Sequence, residues 1–289
     1  MIVPDSRGFV YITHRGEFPL LCLNPDGSLR NVIGQDVLKK SVYYYRATPE
    51  SAPQRIEEAF NLHGLNLDPW ENIWVTDYGR NLVMRFSPAG RLTLTLGIDG
   101  KAGCDATHFD QPTHSWVAPS GEIYVADGYV NSRIVKFDRE GRFIKAWGSR
   151  GTEPGQFHTP HVLALSGDGR LYVSDRENGR IQIFNTEGEL LEMWSGFVCV
   201  DGLCLAPDGR IYGSSGPEHS ILEFGPGGKL KQVWSDYLPG SYPDRSQGTF
   251  PNCDYPHGIC FDGEGALYIA ETNSDANGSR VLKYRFEAP

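Results

Sequence analysis

A histidine recurs at a fixed distance before an acidic residue, and this spacing constrains the fold more than any other feature of the chain. The distance is fourteen residues in three repeats, and the pairs are His63 with Asp77, His161 with Asp175, and His257 with Glu271. Between the two ends, each repeat has an apolar alternation, a turn and a second short strand. The chain therefore contains a repeated unit of β-strands.

The same spacing locates the position equivalent to the histidine, called the slot below, in two further repeats. Counted back from Asp127 it falls on Thr113, and counted back from Ser215 it falls on Asp201. A period of roughly 40 to 50 residues with four short strands per unit is typical of a β-propeller. The sequence thus predicts an all-β fold, a six-bladed propeller that forms a single domain over residues 1–289.

Histidine fills this slot in the second, fourth and sixth repeats. The first strand of a blade lines the central channel, and alternate blades of six lie about 120° apart, so the three imidazoles converge on the axis. A single channel histidine more often hydrogen-bonds to the backbone, but three in strict alternation favour a metal site. We expect zinc, or another divalent transition metal, bound by His63, His161 and His257.

Composition limits the classes of partner. The formal net charge of −9 and the absence of a clustered basic run argue against nucleic acid and anionic membranes. The first residues lack the features of a signal peptide, and no apolar run is long enough to span a membrane. Six cysteines show no C-x-x-C pair. We expect a cytoplasmic monomer whose cysteines have no assigned chemistry.

The ends of the chain and two insertions depart from the repeat. The first strand of blade one would come from Met1–Val3, and it is either short or completed by the C-terminal segment 281–286. The insertion at 35–62 contains a candidate helical turn at 55–60, and a second insertion covers 236–255. The first is a candidate wall or lid of a pocket. Both deliver the chain to a histidine repeat on the same side of the ring, where binding loops are expected.

Three tracts identify a resemblance. Residues 155–161 read GQFHTPH, residues 127–133 read DGYVNSR and residues 175–180 read DRENGR, with Trp147-Gly148 between them. With these tracts the chain resembles peptidyl-α-hydroxyglycine α-amidating lyase, a propeller built from NHL-type repeats. The resemblance covers essentially the whole chain.

The resemblance implies a reaction and a set of residues. The family's catalytic zinc is held by three histidines, which match His63, His161 and His257. Its catalytic tyrosine matches Tyr129, and its two site arginines match Arg176 and Arg15. The implied reaction cleaves the C–N bond of an N-acyl-α-hydroxyglycine, or a similar carbinolamide, to an amide and glyoxylate. Arg15 or Arg176 would hold the carboxylate of this small or peptide-derived substrate.

Two departures from the family pattern keep alternatives open. Gly258 stands where the family places an aspartate of a structural calcium site, which argues against calcium. Asp201 adds a carboxylate to the ring, so a metal-dependent hydrolase of a lactone or amide is an alternative enzyme. A non-catalytic NHL-repeat binding module is the alternative from another class.

Overall fold

A computed structural model describes residues 1–14, 16–45, 54–235, 247–248, 255–272 and 280–285. Its strands form six sheets arranged as the blades of a β-propeller, which confirms the predicted fold class. Within each blade, consecutive strands pair antiparallel, except for one short parallel strand added to blade five. Within this part of the chain, no helix is long and apolar enough to cross a membrane.

The first three blades each have four strands. Blade one contains β1 (Ile2–Pro4), β2 (Val10–Thr13), β3 (Leu20–Leu23) and β4 (Leu29–Val32). A hairpin of β5 (Ser41–Tyr45) and β6 (Gln54–Ala59) follows. Blade two contains β7 (Leu62–Leu67), β8 (Ile73–Asp77), β9 (Leu82–Phe86) and β10 (Leu92–Leu96). Blade three contains β11 (His114–Val117), β12 (Ile123–Asp127), β13 (Arg133–Phe137) and β14 (Phe143–Trp147).

The last three blades carry two short 3-10 turns and one added strand. Blade four contains β15 (Pro160–Leu165), β16 (Leu171–Asp175), the turn Arg176–Asn178, β17 (Arg180–Phe184) and β18 (Leu190–Ser195). Blade five contains β19 (Gly202–Leu205), β20 (Ile211–Ser215), β21 (Ser220–Phe224), the turn Pro226–Gly228, β22 (Leu230–Ser235) and the parallel strand β23 (Gln247–Gly248). The described strands of blade six are β24 (Pro256–Phe261), β25 (Leu267–Glu271) and β26 (Val281–Tyr284).

The first strands of the six blades form a closed ring. Each contacts the first strand of the next blade, in the order β1, β7, β11, β15, β19, β24 and back to β1. The C-terminal strand β26 pairs with β25, and blade one starts with its own short strand β1. Of the two alternatives for blade one, the short strand is therefore the one observed. The last and first blades are joined by packing of apolar side chains such as Ile2 and Tyr268.

The first insertion differs from the sequence prediction over its second half. Residues 55–60 were expected to form a helical turn, but Gln54–Ala59 is a strand that pairs antiparallel with Ser41–Tyr45. The helical prediction is wrong because a short segment cannot stabilise an isolated helix, whereas a preceding strand offers backbone partners for a hairpin. Most of the second insertion, together with residues 46–53, lies outside the described residues.

The hydrophobic core lies between neighbouring blades. Blades two and three, for example, enclose Trp74, Val83, Val125 and Phe137, all of them buried. Faces packed this way interdigitate as in a sheet-on-sheet core, with the sheets about 10 Å apart. This packing holds the inner strands in register around the channel.

A buried ion pair ties the inner turns of blade three together. Arg133 Nε donates to Asp127 Oδ2 at 2.9 Å, and Arg133 Nη2 also donates to the carbonyl oxygen of His108 at 2.7 Å. Burial raises the pKa of Asp127 to about 6, although the Asn131 amide and the Arg133 charge act in the opposite direction. Asp175 and Arg180 form the matching pair in blade four, with Nε to Oδ2 at 2.6 Å.

Candidate active site

The three histidines occupy the same position in three strands. His63, His161 and His257 are the second residues of β7, β15 and β24, the first strands of blades two, four and six. In these three strands the pairing with the second strand is shifted at or beside the histidine. The described first-strand pairs of blades one, three and five have no such shift. Irregularities of this kind re-aim a side chain, and here they mark the histidine strands.

The imidazoles come together at one point of the ring. One ligand atom from each of the three histidines lies within 4.8 Å of those of the other two. Three points at that separation lie within about 3 Å of a common centre, about 1 Å further than a zinc–nitrogen bond of about 2.0 to 2.1 Å, so a small inward movement of the side chains would complete the ligation. The ring centroids are 4.6 Å apart for His63 and His161, and 5.1 and 5.2 Å from these two to His257. The three side chains fit a divalent transition metal.

Backbone carbonyls of blades three and five orient two of the histidines. His63 Nδ1 lies 2.7 Å from the carbonyl oxygen of Thr113, and His161 Nδ1 lies 2.8 Å from that of Asp201. Thr113 and Asp201 are the residues that the fourteen-residue spacing places in the slots of blades three and five. A carbonyl accepts only from an N–H, so each Nδ1 carries the proton and each Nε2 carries the lone pair. This is the orientation that supports metal binding at Nε2.

Tyr129 and Arg176 both approach His161. Arg176 Nη1 lies 3.1 Å from His161 Nε2, and the Tyr129 hydroxyl lies 3.4 Å from the same atom. Since Nε2 has one lone pair, these contacts and metal ligation are alternatives. Burial lowers the pKa of His161 well below its usual range, and the nearby charge of Arg176 acts in the same direction. The neutral imidazole is the form that can bind a metal.

Tyr129 is held over the site by a close backbone approach. Its ring lies 5.4 Å from that of His63 and 5.8 Å from that of His161. Gly128 precedes it, and a Cβ atom at Gly128 would lie 1.9 Å from the carbonyl oxygen of Pro160. A glycine is therefore required for the chain to pass between blades three and four and present Tyr129.

Arg176 is surrounded by acceptors. Its Cζ lies 5.6 Å from the centre of the Tyr129 ring, and its guanidinium forms ion pairs with Glu177 at 2.7 Å and Asp201 at 3.6 Å. Burial acts to lower the pKa of Arg176, but the Tyr129 phenol and the Asp201 carboxylate outweigh it, so that the pKa is raised. The guanidinium stays charged and favours the negative form of its neighbours.

Asp201 lies beside the histidines, but its carboxylate is not one of the candidate metal ligands. Its Oδ2 accepts the Gly216 N–H at 2.9 Å, and its carboxylate is not in the group of donor atoms formed by the three histidines. Burial raises the pKa of Asp201, and Arg176 opposes this rise. The side chain therefore faces Arg176 and Gly216, while its backbone carbonyl supports His161.

Of the predicted site residues, the structure does not describe Arg15, and the sequence analysis missed Tyr78. Arg15 lies outside the described residues. Tyr78 was not singled out, yet it is buried, and its ring lies 6.3 Å from that of His63 and 5.6 Å from that of Tyr129. A signal was present, because Tyr78 follows Asp77 as Arg176 follows Asp175.

Known proteins share both the repeat and part of the sequence. A family model described as NHL repeat matches residues 157–184. Peptidyl-glycine alpha-amidating monooxygenase of Mus musculus is 46% identical over 133 residues, 43% of this chain and 14% of the mouse protein. Peptidyl-alpha-hydroxyglycine alpha-amidating lyase 1 of Drosophila melanogaster is 40% identical over 134 residues, 42% of this chain and 25% of the fly protein. Over the aligned segment the chain is similar to proteins named as α-hydroxyglycine amidating lyases.

The similarity to these mouse and fly proteins covers only part of their length. The aligned segment spans about a seventh of the mouse protein and a quarter of the fly protein. NHL repeat-containing protein 3 of Homo sapiens is less similar but is aligned more widely, with 30% identity over 211 residues, 69% of this chain and 55% of the human protein. A solved streptogramin B lyase has a TM-score of 0.62 at 17% identity and covers 93% of this chain and 88% of its own, which shows the shared fold.

Proposed function

We propose that the chain is a metal-dependent lyase that cleaves the C–N bond of an N-acyl-α-hydroxyglycine, or a similar carbinolamide, to an amide and glyoxylate. The observation that carries this proposal is the convergence of the three histidines beside Tyr129 and Arg176. Relatives named as lyases of this substrate support it.

His63, His161 and His257 would hold the metal, and zinc is the ion we propose because three imidazoles are a common donor set for catalytic zinc. Such an ion acts as a Lewis acid and lowers the pKa of a hydroxyl bound to it. The carbonyls of Thr113 and Asp201 keep two of the imidazoles in the tautomer required for binding.

Tyr129 is the proposed proton acceptor. The unperturbed pKa of a phenol is about 10, so Tyr129 needs help to act as a base near neutral pH. Arg176 supplies it, because a partly buried cation 5.6 Å from the ring favours the phenolate. Tyr129 would take the proton of the α-hydroxyl while the C–N bond breaks and the carbonyl forms, and the proton would then pass to the leaving amide nitrogen.

The carboxylate of the substrate, or the carbonyl group in its place, is attached to the reacting carbon and would face an arginine. Arg176 and Arg15 are the two candidates, and a planar guanidinium can hold a carboxylate or carbonyl in a defined orientation. The carbinolamide would thus lie with its hydroxyl towards Tyr129 and the histidines, and with this group towards the cation.

The test combines metal content with turnover. Protein purified without added metal should carry about one divalent ion per chain by elemental analysis, as three convergent imidazoles require. It should release glyoxylate and a primary amide from N-benzoyl-α-hydroxyglycine. Turnover of a lactone or a simple amide, with none of the hydroxyglycine, would favour a hydrolase that uses Asp201. Absence of both metal and turnover would favour a binding module.

A further inference from the structure

Tyr129 has a neighbour from each adjacent blade at the candidate site. Tyr78 directly follows β8 of blade two, and Arg176 directly follows β16 of blade four, so the two residues hold equivalent positions. The centre of the Tyr78 ring lies 5.6 Å from that of the Tyr129 ring, and Arg176 Cζ also lies 5.6 Å from the Tyr129 ring centre. Arg176 has a role in the proposed reaction, whereas Tyr78 has none so far.

Tyr78 contacts two rings of the site edge to face. Its ring is inclined at 77° to the Tyr129 ring. It is inclined at 83° to the His63 ring, with the two ring centres 6.3 Å apart. Perpendicular aromatic pairs at such separations are favourable, because the positive edge of one ring meets the negative face of the other. Tyr78 therefore contacts both the proposed proton acceptor and one proposed metal ligand.

The first insertion holds Tyr78 in place. The backbone N–H of Tyr78 donates to the carbonyl oxygen of Asn61 at 3.1 Å. The Asn61 side-chain amide donates in turn to the carbonyl and hydroxyl oxygens of Ser41, at 3.0 and 2.9 Å. At the next residue, Gly79, a Cβ atom would lie 2.5 Å from Asn61 Nδ2, so the two segments are in close contact. The Tyr78 side chain is also buried, and close packing restricts its ring to one position.

Tyr129 is less restricted by its surroundings. It is partly exposed, and the next residue, Val130, is 42% exposed. Exposed side chains change rotamer rapidly, whereas a general base must keep its oxygen within hydrogen-bond distance of the proton that it takes. A misplacement of about 1 Å can lower a rate by about a hundredfold. Contact with the fixed Tyr78 ring opposes rotation of Tyr129 away from the histidines.

We propose that Tyr78 is a positioning residue whose ring holds Tyr129 beside the three histidines, and that the first insertion serves the site by fixing Tyr78. The kinetic consequence rests on the proposed function, whereas the position of Tyr129 does not. Because the contacts are made by the ring, phenylalanine should replace Tyr78, and an aliphatic side chain should not.

Fluorine NMR of the whole chain tests the position of Tyr129 without turnover. In protein labelled with 3-fluorotyrosine, the Tyr129 resonance is identified by its absence from Tyr129→Phe. In wild type and Tyr78→Phe it should be a single line displaced from that of free 3-fluorotyrosine. Tyr78→Leu and Tyr78→Met remove the ring and keep an apolar side chain. In these two variants the resonance should move at least half of the way towards the free value.

Turnover of N-benzoyl-α-hydroxyglycine gives the second readout. Tyr78→Phe should keep kcat within about twofold of wild type. Tyr78→Leu and Tyr78→Met should lose at least about fivefold in kcat, with KM within about threefold, because the chemistry and not substrate binding is impaired. Metal content should stay within about twofold in all three variants, since the Thr113 carbonyl oxygen lies 2.7 Å from His63 Nδ1 and holds that ring independently.

Tyr268→Leu is the matched control. Tyr268 is also buried, but its hydroxyl donates to Asp262 Oδ2 at 3.2 Å, at the end of blade six opposite His257. Neither the Tyr129 resonance nor kcat should change in this variant.

Three results would overturn the proposal. The first is an unmoved Tyr129 resonance in Tyr78→Leu and Tyr78→Met. The second is a loss in Tyr78→Phe as large as in these two variants, since the hydroxyl would then be the essential group; this comparison decides the matter if an aliphatic variant does not fold. The third is an equal change in Tyr268→Leu. A wild type that does not turn over the hydroxyglycine would refute the lyase proposal, and the NMR result would still decide the role of Tyr78.

Discussion

The backbone carbonyl oxygen of Asp201 lies 2.8 Å from Nδ1 of His161, so a residue of blade five sets the orientation of a histidine in blade four. Thr113 of blade three does the same for His63 of blade two. The candidate metal centre therefore depends on contacts between blades, and it should be sensitive to changes that leave each blade intact.

Removing one histidine should remove the metal while the fold is kept. His161→Ala deletes one of three proposed ligands, and two imidazoles bind a divalent ion much more weakly than three. We expect at least a tenfold loss of bound metal by elemental analysis, with an unchanged circular dichroism spectrum. His108→Ala is the matched control, since His108 is paired with Asp105 on an outer loop and should keep the full metal content. Equal metal content in both variants would contradict the assignment.

Tyr129→Phe separates the lyase from the hydrolase. The phenol is proposed to accept a proton and not to bind the metal, so its loss should lower kcat on an α-hydroxyglycine substrate by at least about a hundredfold, as for a general base. Metal content should stay within twofold of wild type. Asp201→Asn should retain kcat within about tenfold, and the converse pattern, an essential Asp201 and a dispensable Tyr129, would indicate an activated water.

Arg176→Lys should be a damaging change even though the charge is retained. A lysine is a point charge and cannot contact His161, Glu177 and Asp201 at once while stacking over Tyr129. We expect a loss of kcat/KM of at least about tenfold, or about 1.4 kcal/mol, on carbinolamides with and without a carboxylate. Arg170→Lys, at a half-exposed position paired with Asp168, should behave as wild type in the same assay.

Gly128→Ala tests the backbone approach that presents Tyr129. The added Cβ would lie 1.9 Å from the Pro160 carbonyl oxygen, so the two blades must separate locally. Overpacking of this kind costs about 1 to 3 kcal/mol, and turnover should fall with stability. Gly167→Ala, where nothing lies within 4 Å of the new atom and φ is not in the left-handed region, should change the urea-derived free energy of unfolding by no more than about 0.5 kcal/mol.

Arg133→Met tests the buried ion pair of blade three. The variant leaves the fully buried Asp127 without its cation, which destabilises a protein by about 3 to 5 kcal/mol. Arg133 opposes the rise of the Asp127 pKa to about 6, so its loss raises that pKa further, and the folded variant should take up a proton at a higher pH than folded wild type. The free energy of unfolding, measured by urea denaturation, should therefore differ less between variant and wild type at pH 5 than at pH 7.5. A difference in the free energy of unfolding that grows as the pH falls would contradict this.

The spacing of residues along the sequence was sufficient to predict the propeller architecture and the ring of three histidines. Strand periodicity and the fourteen-residue interval reflect a local geometry that is repeated from blade to blade. The folded protein keeps this geometry because each blade packs on an equivalent neighbour. The cytoplasmic location, the single domain and the monomeric state rest on sequence reasoning alone and stay predictions.

Tertiary structure decided what the repeat could not encode. The sequence pattern did not show the irregular pairing beside each histidine. The carbonyls of Thr113 and Asp201 that orient two imidazoles, and the contact of Tyr78 with Tyr129, involve residues that are distant in sequence. The strand at Gln54–Ala59 likewise depends on a partner strand and not on its own residues. Spacing along the chain specifies which residues reach the channel, whereas the direction and charge of each side chain depend on contacts between blades, which no local pattern records.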